Sequence, residues 1–257
     1  MGDDFIEDFI KRQVSLHNRM ASYANENFDR LEYFGSIRNA SPIYDGVIKP
    51  SEYFRSKLRI LWILKEPRDK EKNDRYCGGG WQMFADCDDA NFNSKIASQK
   101  TIFRVAQISY AVENGISNEE AINLDASAVN VLRRIAYINI GKMPGPGKTD
   151  AKRVKQLYKF WKSFVLEQIS MCNPELIICA GSGIMSNLSS DLGIETLLKP
   201  AKSYVGGCSG VKPFVVDCYR WNNVPIVSTA HPTVRANMLD YFKCTLDACN
   251  GAFKGDW

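Results

Sequence analysis

Four short apolar runs constrain the fold of this chain more than any other feature of its sequence. Charged residues, proline or glycine follow each run closely, and the runs cover Arg59 to Leu64, Ile135 to Ile140, Leu176 to Ala180 and Val224 to Thr229. A short, nearly continuous apolar run is typical of a strand that is covered on both faces. We therefore expect these four segments to form the centre of one sheet.

Segments with helical apolar spacing separate the runs, at Lys100 to Asn114, Asp150 to Met171 and Gly183 to Leu192. Alternating strands and helices predict an α/β fold, a three-layer α/β/α sandwich with a central, mostly parallel four- or five-stranded sheet. Phe214 to Trp221 is the candidate fifth strand, and Arg235 to Asn250 predicts a closing helix.

The length of the chain favours a single domain. With 257 residues and 45% hydrophobic content, the sequence is sufficient for one large core. An amphipathic helix is predicted from Asp4 to about Leu31, so residues 1–50 are interpreted as an N-terminal helical extension packed on the domain 1–257.

Composition narrows the cellular context but not the activity. The net charge of +4 permits a phosphate-rich partner without requiring one. The eight cysteines include no C-x-x-C pair, which fits free thiols in a reducing compartment. Residues 1–8 carry four acidic and no basic side chains, so neither a signal peptide nor a membrane anchor is indicated. We expect a cytoplasmic monomer without a membrane partner.

Polar residues follow each of the four apolar runs. They are Glu66 before Pro67, Asn139, the turn Gly181-Ser182-Gly183, and His231-Pro232-Thr233. Ligands of parallel sheets bind at the carboxyl ends of strands, where these residues are predicted to meet. Each also has a structural interpretation: an exposed acid, an asparagine that caps its own loop, a packing turn and a structural histidine.

Taken together and in this order, the four motifs resemble those of the uracil-DNA glycosylase superfamily. The resemblance covers Ile60 to Arg235, and it rests on the order of the motifs and on their strand context. It implies a hydrolase that needs no metal, flips a nucleotide out of DNA and cleaves the bond between uracil, or a related damaged base, and its sugar.

The resemblance also implies roles for single residues. Glu66 would position water or stabilise the sugar cation, and Asn139 would hydrogen-bond the flipped base. His231 would donate to the base oxygen as negative charge builds on the leaving group. Arg235 would enter the space that the base leaves, and Ser182 and Thr233 would contact DNA.

Two further groups of residues are candidates for contacts with single- or double-stranded DNA. Trp81 and Phe84 are candidate stacking rings, with anchoring of a long loop as the alternative. Four cations lie in or beside the loop after Asn139 and are candidate phosphate ligands, with a solvated helix face as the alternative: Lys142, Lys148, Lys152 and Arg153.

Several features of the sequence leave other functions open. Leu64-Lys65 replaces the glycine and polar residue that usually open the first motif, and glutamate replaces aspartate or asparagine. These departures favour, as an alternative, a catalytically inactive nucleic-acid or nucleotide-binding module of the same fold. A third possibility is an α/β hydrolase or transferase acting on free nucleotides, although P-loop and G-x-S-x-G motifs are absent. The cysteine spacing predicts neither an iron-sulfur cluster nor a zinc site, so no cofactor is expected.

Overall fold

The central runs of the sequence form the strands of one mixed sheet. The computed structural model describes residues 2–27, 41–66, 80, 82–143, 151–181, 183–194, 202–208, 211–234 and 237–254, with the backbone alone for residues 202–208, 211–213 and 253–254. Seven strands of these residues join in the order β1-β3-β2-β4-β7-β6-β5. They are β1 Gly46–Val47, β2 Ile60–Leu64, β3 Ala136–Asn139, β4 Leu176–Ala180, β5 Lys202–Cys208, β6 Val211–Trp221 and β7 Val224–Thr229.

The sheet is parallel only at its centre. Strands β3, β2, β4 and β7 are parallel neighbours, with pairs such as Ile63 opposite Ile138 and Ile178 opposite Val227. Strand β1 pairs antiparallel with β3, and the β5-β6 hairpin adds two antiparallel strands beside β7. The prediction of an α/β fold is confirmed. The predicted fifth strand, Phe214 to Trp221, lies within β6. The prediction of four or five mostly parallel strands is nevertheless wrong, because β1, β5 and β6 pair antiparallel and bring the described strands to seven.

Helices account for most of the remaining described chain. They are α1 Asp3–Glu26, α2 Pro50–Tyr53, α3 Phe92–Ala97, α4 Lys100–Asn114, α5 Asn118–Ile122, α6 Ala151–Cys172, α7 Ile184–Leu188 and α8 Met238–Lys254, with a 3₁₀ helix at Ala126–Arg134. Helix α4 begins and ends as predicted and closes on Gly115 in the left-handed conformation. Helix α1 begins one residue before the predicted start, and residues 28–31 of that prediction lie outside the described part.

Two cores lie on opposite faces of the sheet, because successive side chains of a strand alternate between its faces. Leu61 and Ile63 belong to the first core, together with side chains of α1, α6 and α7. Ile60 and Trp62 belong to the second core, together with side chains of α3, α4, α5 and α8. All five residues of β2 are buried, as they are in β4, which explains why these strands are apolar throughout.

Candidate functional site

Glu66 and His231 lie at one edge of the sheet, after strands that share a neighbour. Glu66 is the second residue after β2, and His231 is the second residue after β7. Both strands pair in parallel with β4, which ends directly before Gly181. Neighbouring strands are about 4.8 Å apart, so β2 and β7 are separated by roughly 10 Å. The two residues therefore follow strands that lie on either side of β4.

The carboxylate of Glu66 is paired with a buried arginine of α6. Arg153 Nε lies 3.0 Å from Glu66 Oε2, and the side chains of Arg153 and Glu66 are 5% and 3% exposed. A guanidinium that donates to a carboxylate fixes the direction of that carboxylate. Arg153 had been predicted to contact DNA phosphates. That prediction is wrong, because its charge lies inside the protein against Glu66.

Gly141 packs closely beside Glu66. Its backbone N donates a hydrogen bond to Lys65 O at 2.7 Å. A Cβ atom at position 141 would lie 2.8 Å from Leu157 Cδ1 and 3.2 Å from Glu66 Cβ. A larger residue at position 141 would therefore displace the side chains of Leu157 and Glu66.

His231 is a hydrogen-bond donor through one defined nitrogen. The backbone N of Thr233 donates to His231 Nδ1 at 3.2 Å, and Thr233 Oγ1 lies 2.8 Å from the same nitrogen. Since a backbone amide can only donate, Nδ1 is the acceptor and the neutral ring carries its proton on Nε2. Burial is the largest cause that lowers the pKa of His231, and together with the charges of Lys65 and Arg104 it brings that pKa to about 4.

Lys65 extends from the end of β2 across the end of β4. Gly181 has a φ of +141°, and a Cβ there would lie 2.9 Å from Lys65 Cε. Gly181 N in turn donates to Thr229 O of β7 at 2.9 Å. The aliphatic part of the Lys65 side chain thus lies between β2 and β7. No role was predicted for Lys65, although its position directly after β2 placed it at this edge.

Asn139 is an interior residue whose amide nitrogen already has partners. It is 2% exposed. Asn139 Nδ2 lies 3.1 Å from Asp45 Oδ2 and 3.6 Å from Met83 Sδ, and its backbone N donates to Asp45 Oδ2 at 2.7 Å. The prediction was that the amide of Asn139 offers both a donor and an acceptor to a nucleobase. It is wrong for the donor, because Nδ2 already contacts Asp45 and Met83.

Lys142 is fully buried in the same network. Its Nζ lies 2.8 Å from Asp45 Oδ1, and both side chains are 0% exposed. Gln168 Nε2 donates to Asp45 Oδ1 at 3.0 Å, and His17 Nε2 donates to Asp45 O at 3.0 Å. Burial lowers the pKa of Lys142, whereas Asp45 raises it. The prediction that Lys142 contacts DNA phosphates is wrong, because its ammonium is inside the protein.

Phe84 is a core residue and not an exposed stacking ring. It is 8% exposed, and its ring packs edge-on against Phe92 at 6.0 Å and Tyr137 at 5.9 Å. Its φ of +57° is unusual for an aromatic residue and follows the tight turn that brings the ring inward. The alternative interpretation of Phe84, a loop anchor, describes its contacts.

Five further candidate residues remain: one is exposed, and four lie outside the residues that the structure describes. Thr233 is exposed and contacts the imidazole of His231. Four predicted site residues lie outside the described residues: Trp81, Lys148, Ser182 and Arg235.

Arg104 is the site residue that sequence analysis missed altogether. It lies on α4 and donates a hydrogen bond to Pro232 O, 128 positions along the chain. Its neighbours in the sequence, Phe103 and Val105, give no sign of this contact, because helical spacing identifies only the face that packs on the core. Pairings of this kind depend on how distant segments meet in the fold.

The described residues hold neither a candidate metal site nor a helix that could cross a membrane. No group of three or more His, Cys, Asp and Glu side chains in these ranges is arranged to hold a metal ion. Within the described helices, none combines the length and apolar character needed to cross a membrane. Comparison with protein-family models finds no match, and comparison with curated proteins finds no similar sequence.

Proposed function

We propose that this chain is a DNA glycosylase-like hydrolase that removes uracil or a related damaged base from DNA. The observation that carries the proposal is the placement of an acceptor and a neutral donor, Glu66 and His231, on either side of the end of β4. Cleavage of a base-sugar bond creates positive charge on the sugar and negative charge on the base. A carboxylate on one side and an Nε2–H donor on the other match these two charges.

Membership of the uracil-DNA glycosylase superfamily is part of this proposal. The motif order supports it, and so do the two cores, which fit a three-layer α/β/α sandwich forming one domain over residues 1–257. In this arrangement Arg153 holds the carboxylate of Glu66 in a fixed direction, and the turn of His231 fixes the donor nitrogen. Neither residue needs a metal to perform these roles.

The exposed lysines of α6 are the best candidates for contacts with the DNA backbone. They recur every three or four residues, so they share one face of the helix. The helix begins beside Glu66, since Arg153 in its first turn pairs with that residue. The exposed members in the first three turns are Lys152, Lys155 and Lys159. We propose that this lysine face takes the phosphate-binding role that the buried Lys142 cannot have.

A base-excision assay tests the activity. End-labelled single- and double-stranded oligonucleotides with one uracil are incubated with the protein, and alkali then cuts any abasic sites. We expect Glu66→Gln and His231→Gln each to lower the excision rate by about 10²- to 10³-fold, while oligonucleotide affinity changes little. Equal rates for the wild type and both variants would contradict the proposed roles.

Glu113→Gln is a matched control for Glu66→Gln. Glu113 is also a buried acid paired with an arginine, since Arg134 Nη2 lies 2.7 Å from Glu113 Oε2 and the Glu113 side chain is 5% exposed. It lies in the last turn of α4, away from the strand ends described above. A loss of excision in Glu66→Gln alone would separate a role in the reaction from a general effect on folding.

One observation favours the second candidate function, a binding module without catalysis. The carboxylate of Glu66 and the amide nitrogen of Asn139 both have protein partners, Arg153 and Asp45. A site already satisfied in this way suits recognition more than reaction. Tight oligonucleotide binding without excision of any tested base would establish this alternative.

A further inference from the structure

The turn that carries His231 is held on both sides by side chains of two helices. Arg104 of α4 donates from Nη1 to Pro232 O. Tyr241 of α8 donates from its hydroxyl to Ala230 O at 3.2 Å. These carbonyl groups belong to the residues immediately before and after His231. The backbone therefore has a fixed partner on each side of the imidazole.

The two supports differ in burial and in charge. Tyr241 is 0% exposed and belongs to the second core, where its ring lies 5.8 Å from that of Phe214 and 6.1 Å from that of Phe242. Arg104 is half-buried, and burial lowers the pKa of its guanidinium, which nevertheless stays charged. One support is thus a neutral group locked in the core, and the other is a cation near the surface.

We propose that Arg104 and Tyr241 are positioning residues for His231, which hold its turn so that the ring presents a fixed Nε2–H donor to a ligand. The identity of the ligand as a nucleobase rests on the proposed function. The positioning of His231 by Arg104 and Tyr241 does not depend on that function. The inner hydrogen bond from Thr233 N to Nδ1 requires a closed turn, as does the bond from Val234 N to His231 O at 2.8 Å. Arg104 and Tyr241 keep that turn closed from outside.

Arg104 has a second effect, through its charge. The charged groups that act on His231 are Lys65 after β2 and Arg104 on α4, while α8 contributes the uncharged hydroxyl of Tyr241. An imidazolium near two cations is disfavoured, and partial burial disfavours it further. The ring therefore stays neutral well below neutral pH, and Nε2–H remains its donor group.

Nitrogen-15 NMR of the full-length labelled protein tests the inference directly. The chain has only two histidines, so His17→Gln assigns both signals, and His17 then reports on an intact fold in every other variant. In the wild type we expect His231 to be the Nε2–H tautomer and to titrate with a pKa of about 4.

Three variants separate the two effects. Arg104→Gln removes the charge, which is the smallest of the three causes that lower the pKa of His231, and should raise that pKa by less than about one unit. Arg104→Lys keeps a charge but loses the planar donor geometry, so the pKa should stay low while a fraction of Nδ1–H tautomer appears. Tyr241→Phe removes one hydrogen bond and no charge, and it should also change the tautomer more than the pKa.

The outcomes distinguish this inference from the proposed activity. An unchanged tautomer of His231 in all three variants, with His17 unchanged, would overturn the positioning role whether or not the protein excises uracil. Should Arg104→Gln fail to fold, as shown by a shifted His17 signal, Arg104→Lys and Tyr241→Phe still decide the outcome, because an unchanged tautomer in both would overturn it. The absence of excision by the wild type would instead contradict the proposed function and leave the NMR result standing.

Discussion

Replacing Lys142 with methionine tests how much the buried charge pair contributes to folding. The side chains of Lys142 and Asp45 are both 0% exposed, and their charged atoms lie 2.8 Å apart. Methionine retains a long apolar stem in the same space but leaves the carboxylate without a countercharge. The carboxylate still accepts hydrogen bonds from Asn139 N, Asn139 Nδ2 and Gln168 Nε2.

The expected loss of stability follows from these contacts. Removing one partner of a buried ion pair costs about 3 to 5 kcal/mol. Because Asp45 keeps its other donors, we expect Lys142→Met to be at the lower end, about 3 kcal/mol. Asp45→Leu leaves the ammonium of Lys142 and the donors of Asn139 and Gln168 without their acceptor. It should therefore lower the free energy of unfolding by about 5 kcal/mol. For a chain of this length, 3 kcal/mol corresponds to a fall in Tm of about 6 to 12 °C.

Urea unfolding followed by tryptophan fluorescence measures these differences, since the chain has five tryptophans. Lys243→Met, at an exposed position of α8, is the control and should change the free energy of unfolding by less than about 0.5 kcal/mol. The double variant Asp45→Leu with Lys142→Met should lose less than the sum of the single losses. A Lys142→Met protein as stable as the control would refute the argument that this pair supports the fold.

Three further predictions concern the site and its surface. Gly141→Ala should destabilise the protein by about 1 to 3 kcal/mol and reduce excision, because the new methyl group displaces Leu157 and Glu66; urea unfolding and the excision assay measure both effects. Stability should fall as the pH falls from 6.5 towards 4, because the unfolded chain protonates the residue at position 231 before the folded protein does; His231→Gln should flatten this part of the curve in unfolding experiments at several pH values. Replacing Lys152, Lys155 and Lys159 on the lysine face of α6 with glutamine should weaken oligonucleotide binding and reduce the slope of log K against log salt by about 2 to 3. The control protein carries the same change at three exposed lysines elsewhere, Lys11, Lys57 and Lys243, and should bind as the wild type does.

The strands at the centre of the sheet were predictable because strands that are buried on both faces are nearly continuous apolar runs in the sequence. Strand β4 matches its predicted segment residue for residue, and β7 does so as well. The edge strands β1 and β5 are not apolar runs of this kind. Strand β5 has the sequence KSYVGGC, which combines a lysine with two adjacent glycines, and β1 has only two residues. Antiparallel pairing with a neighbour, and not apolar content, determines these strands.

The positions of the candidate site residues were predictable, but their partners were not. Because parallel strands end at one edge of the sheet, residues after β2 and β7 were expected to lie near each other. Whether a polar side chain there faces a ligand or the interior depends on distant residues. Asn139 and Lys142 both bind Asp45, more than 90 positions earlier in the chain. Sequence spacing holds no information about such pairings.

The two principal groups of the candidate site are positioned from opposite faces of the sheet. Glu66 is oriented by Arg153 on α6, whose neighbours Val154 and Leu157 belong to the first core. His231 is held through its turn by α4 and α8, which pack in the second core. The separation of the two groups is set by the strands between them and not by either helical layer. A substitution in α6 should therefore change the direction of the carboxylate while the Nε2–H tautomer of His231 persists, and a substitution in α4 or α8 should do the reverse.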